Sequence, residues 1–118
     1  MRQETRSCEC PIPQEALWDF LSDYNNVVAM GSPNASARLV DGSPQKCDCV
    51  YEAEITWQGV HKLFTACMND AIRPDTLTWE AETGMGTSWL RFDLDRAHTV
   101  AGLLIRTGIP EGIWNEGR

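Results

Sequence analysis

The chain has no apolar run that reaches across a bilayer. Its longest, Val100 to Ile105 with Gly102 counted in, falls far short of the roughly 20 residues a spanning helix needs. Its opening, MRQETRSCECP, has no apolar stretch after the charges, so it does not read as a signal peptide, and a cytoplasmic location is expected. Positive charge is scarce. Ten lysines and arginines face seventeen aspartates and glutamates, a net charge of −7 that repels phosphate. Neither nucleic acid nor an anionic membrane surface is therefore an expected partner. Histidine occurs twice, at His61 and His98, with no motif around either. There is no G-x-S-x-G elbow, phosphate-binding glycine loop, dinucleotide fingerprint or zinc-protease helix. No repeat or low-complexity linker divides the 118 residues, which read as one domain over 1–118 with one core.

What is present is periodicity. The first ten residues alternate loosely as a strand ending at Cys10, and PIPQEALWDFLSDY follows. Pro13 suits a first helical turn, and Leu17, Trp18, Phe20, Leu21 and Tyr24 recur at offsets of three and four, which predicts one amphipathic helix. Asn25-Asn26 is expected to end it, with Val27 to Met30 as a further turn. From Ala35 the period changes to two. Ala35 to Val40 predicts a short strand closed by Asp41-Gly42-Ser43-Pro44, and Cys47 to Trp57 a long half-buried one with Glu52 and Glu54 outward. Gln58-Gly59 suits a hairpin. Phe64, Ala66 and Met68, then Leu77, Trp79 and Ala81, then Leu90, Phe92 and Leu94 mark inward faces of three further strands. Turns are expected at Arg73-Pro74-Asp75 and at Gly84 to Gly86, and a last strand from His98 to about Thr107. A strand, a short helix and then consecutive hairpins predict an α+β fold with a curved antiparallel sheet of six or seven strands.

The segments PIPQEALWDFLSDYNNV, VYEAEITWQG, FTACMNDAIRPDTLTWEAETGMG and WLRFDLD give the chain a resemblance to a known superfamily. It resembles the START-related, birch-pollen-allergen-like (SRPBCC) proteins, particularly their polyketide cyclase/dehydrase and lipid-transport branch, from about Thr5 to Asp95. The resemblance implies a helix-grip architecture: a curved sheet around a long C-terminal helix, with a hydrophobic tunnel between. The tail departs from that pattern. TGIPEGIWNEGR holds three glycines and a proline, residues that cost about 1 and 3 kcal/mol in a helix interior, so no long covering helix is expected there.

The cysteines invite a metal reading that their spacing does not favour. Cys8-x-Cys10 and Cys47-x-Cys49 lie one residue apart on strands, roughly 6–7 Å along the backbone, and Cys67 is alone. Core packing is the preferred reading, and neither metal nor cofactor is expected. The pairs Glu52/Glu54 and Glu80/Glu82 read as solvated faces. The informative group is Tyr51, Trp57, Phe64, Met68, Trp79, Leu90 and Phe92. Each alone is ordinary core; together, spread over four neighbouring strands with little helix to cover them, they predict a pocket for a small hydrophobic ligand of lipid, isoprenoid or polyketide type. Trp89 faces the other way. No catalytic constellation is visible. The alternatives are a polyketide cyclase/dehydrase-like enzyme using Tyr51, His61 or Arg91, or a partner-protein-binding domain. An uncovered apolar face further predicts a homodimer to which Val100 to Trp114 contributes.

Overall fold

The structure, a computed structural model, describes residues 2–32, 34–82, 86–97 and 100–109, leaving aside the side chains of 2, 57, 96, 97, 100, 101 and 109. His98 and the tail from 110, with Ile113 and Trp114, therefore lie outside the described residues, as does the side chain of Trp57.

After strand β1 (Arg2–Cys10), Pro13 sets the entry to helix α1 (Gln14–Leu21), which buries Leu17, Trp18 and Leu21. The sequence predicts one helix; there are two. The break falls at Ser22-Asp23, and Asn25-Asn26 forms the first turn of α2 (Tyr24–Gly31) instead of ending α1. Asp23 is the cause: its backbone is extended and its Oδ1 accepts from the Asn25 N–H at 3.0 Å, which starts a new helix. Both asparagines are occupied at this corner. Asn26 Nδ2 donates to the Phe20 carbonyl at 3.0 Å, and Asn25 Oδ1 accepts from the Ala37 N–H at 3.0 Å.

Six strands follow: β2 (Ala35–Asp41), β3 (Val50–Trp57), β4 (Val60–Ile72), β5 (Thr76–Glu82), β6 (Thr87–Ala97) and β7 (Val100–Ile109). All pair antiparallel in the order β1-β7-β6-β5-β4-β3-β2, one curved seven-stranded sheet. Gln58 and Gly59 both have positive φ, the geometry that lets a two-residue turn follow the strand twist. The third strand is shorter than its alternation predicts. Ser43 N–H donates to Asp48 Oδ1, Lys46 N–H to the Ser43 carbonyl and Cys49 N–H to the Lys46 carbonyl, so turns use these backbone groups before pairing begins at Val50. Cys47 is consequently exposed, while Cys49 is fully buried.

Register places the apolar residues in rows across the concave face. Met68, Trp79 and Leu90 stand side by side, as do Leu77, Phe92 and Ile105. The helices close one end through two reciprocal indole bonds. Trp18 Nε1 donates to the Thr76 carbonyl at 3.0 Å, and Trp79 Nε1 to the Leu21 carbonyl at 2.9 Å. The convex face is polar. Asp93 accepts there from Arg91, Arg106 and Thr76, and Arg38 pairs with Glu52. Strand β7 is flanked by β1 and β6, so its edges are taken; the edges left open are those of β1 and β2.

Candidate ligand site on the concave face

Four aromatic rings gather where α2 lies over the sheet. Tyr24 from the helix has its ring centroid 4.9 Å from that of Trp79, 6.2 Å from Tyr51 and 6.4 Å, edge-on, from Phe64; Tyr51 meets Trp79 edge-on at 5.4 Å. Edge-to-face and tilted contacts of this kind place positive ring edges against negative ring faces. In the sequence Tyr24 reads only as part of a helical apolar stripe. Its offset from Leu17 and Leu21 carries that stripe signal, and nothing local announces its partners.

The residues expected to line a pocket divide by burial. Met68, Trp79 and Phe92 are buried in the core, and so is the ring of Tyr51. Phe64, Leu90 and Ile105 pack against that core yet stay half-buried, on β4, β6 and β7 of the concave side. Trp89 points outward and lies over Gly108, where an added Cβ would come within 2.2 Å of its Nε1.

Among the described residues neither tyrosine hydroxyl is hydrogen-bonded and neither is sealed from water; the buried side-chain atom without a partner is Thr78 Oγ1. Burial pushes the Tyr24 phenol up to about 12, and burial first, then the nearby Asp23 carboxylate, raises that of Tyr51. Both remain neutral donors at physiological pH. Tyr51 also forms the floor of an open groove of about 550 Å³ between the α1–α2 corner, β2 and the turn before β3.

The polar candidates for catalysis are not brought together. His61 is exposed on the convex face, 3.2 Å from Glu54. Arg91 lies on that same face, held by Asp93 at 3.1 Å and near Asp70 at 3.8 Å. Only Tyr51 of the three faces the concave side. Among the described residues no three histidine, cysteine or acidic side chains gather to hold a metal, and no helix is long and apolar enough to cross a membrane. Cys8 and Cys10 share a face of β1, where burial first and Cys8 second raise the Cys10 thiol.

No protein-family model matches the chain, and no curated protein sequence does. Solved structures do match. Ara h 8.0201 aligns with a TM-score of 0.71 at 14% identity, covering 98% of this chain and 86% of its own. A START superfamily protein from Mycobacterium smegmatis aligns at 0.69 and 11% identity, covering 89% and 74%. The di-domain ARO/CYC BexL, from the BE-7585A biosynthetic pathway, aligns at 0.65 and 16%, covering 90% of this chain and 35% of that one. At these identities the likeness is one of fold: the chain has a helix-grip α+β fold, similar to those of Ara h 8.0201 and the START superfamily protein.

Proposed function

We propose that this protein binds a small apolar or aromatic molecule, of lipid, isoprenoid or polyketide type, against the concave face of its sheet. The observation that carries the reading is that Phe64, Leu90 and Ile105 stay half-buried on the concave face around the aromatic core. Covering them with a ligand removes apolar surface from water at roughly 25 cal/mol per Å². The likeness to START and birch-pollen-allergen-like folds supports the same reading. With a net charge of −7 the partner is a neutral or weakly polar small molecule rather than nucleic acid. An enzyme of the aromatase/cyclase kind needs polar side chains converging on the bound chain, and His61 and Arg91 stand on the opposite face.

Titration of intrinsic tryptophan fluorescence with fatty acids, quinones and polyphenols is the test. A saturable change from at least one class is expected. Phe64→Ser should weaken that binding about five- to tenfold, the worth of one partly exposed ring. No saturable response from any class rejects the reading.

A further inference from the structure

We propose that the groove over Tyr51 holds the hydroxyl end of the ligand, so that the protein selects apolar molecules carrying an alcohol or phenol group. This rests on the ligand-binding reading above and adds the chemistry of one end of the ligand.

Three observations converge on the groove. Ala37, Leu39 and Tyr51 line it from the sheet, while Asp23 and Asn25 stand on its helical wall. Tyr51 is 5% exposed and lines the opening; its hydroxyl makes no hydrogen bond among the described residues and is not sealed from water. Its Oη–H is thus left to water or to a ligand in the groove. Asp23 is the third. One carboxylate oxygen, Oδ1, accepts from Asn25 N–H, which leaves lone pairs of the other, Oδ2, for a donor from the groove.

A neutral phenol beside a carboxylate offers a donor and an acceptor in one place. A ligand hydroxyl answers both at once, accepting from Tyr51 Oη–H and donating to Asp23. A bare hydrocarbon answers neither, and a ligand carboxylate would meet Asp23 as a like charge. The cationic side chain on this wall does not alter the balance, because Arg38 is paired with Glu52 at 3.1 Å. Sites built to hydrogen-bond a substrate hydroxyl reject its deoxy analogue, since the site's own polar groups are then left unpaired.

The test compares 2-naphthol with naphthalene, followed by amide chemical shifts in solution NMR. For the native protein, 2-naphthol should bind at least about fivefold more tightly, the worth of one net hydrogen bond, and shift the signals of Ala37 to Leu39 and Tyr51. Tyr51→Phe should abolish that preference. Asp23→Asn, which keeps a good helix cap, should reduce it. Equal affinity for the two probes, or a preference that survives in Tyr51→Phe, overturns the hydroxyl inference and leaves apolar binding standing. If neither probe shifts any signal, the hydroxyl inference is overturned as well, and the ligand-binding reading is decided by the fluorescence titration.

Discussion

Tyr24 shows what a single side chain does here. It contributes its ring to three aromatic contacts and its hydroxyl to none, so burial acts on its acidity without opposition. With a folded value of about 12 against an ordinary 10.0, the neutral form is the one the fold favours. The stabilisation is therefore fully present below pH 10 and is lost as pH rises toward 12. Urea denaturation between pH 9 and about 11.5 should show falling stability, and Tyr24→Phe should flatten the fall. An unchanged slope in that variant would mean that Tyr24 ionises as freely folded as unfolded.

Between elements, the closest fit is the outer surface of β6 on β7. Trp89 pairs in register with Gly108, and the indole occupies the space that a side chain on Gly108 would take. Gly108→Ala should cost about 1–3 kcal/mol in urea denaturation, through overpacking. In a Trp89→Ala background the same change should stabilise by roughly 0.5–1 kcal/mol, because alanine then gains over glycine in an extended strand. A cost that is the same in both backgrounds would remove Trp89 as its cause. This pairing was not legible in the sequence, where Gly108 sits among the breakers of the tail and Trp89 reads only as outward-facing. Strands such as Leu77-x-Trp79-x-Ala81 were legible, because a period of two survives any register. Tyr51, Phe64 and Trp79 could be placed on the inner face by that rule, and whether each is core or ligand surface could not, since that depends on where the helices land. The α1–α2 break is hidden in the sequence for a related reason. Asparagine suits both a helix end and a first turn, and Asp23 decides between them only by its cap.

Across the whole molecule, surplus negative charge and paired carboxylates pull stability in opposite directions with pH. A net charge of −7 repels itself, so the loss of negative charge on acidification relieves that repulsion. Asp93 and Asp19 act the other way. Burial would raise Asp93, but the hydrogen bonds from Arg106, Arg91 and Thr76 outweigh it and hold the carboxyl below its ordinary value. For Asp19 the hydrogen bonds from Arg73 are the main cause. Depressed values mean stability that is present above about 3.8 and lost as pH falls through the folded value. Thermal melts should thus stay level or improve from pH 7 to 5 and fall steeply below 4, with the fall reduced in Asp93→Asn. Arg2 pairs with Ile109 and Cys10 with Ala101, so the first strand of the sheet joins its seventh. As the chain leaves a ribosome, β2 to β6 can zip hairpin by hairpin, but β1 has no strand to pair with until β7 has emerged. Closing the sheet therefore waits on the contact of greatest sequence separation in the fold, the kind that forms most slowly.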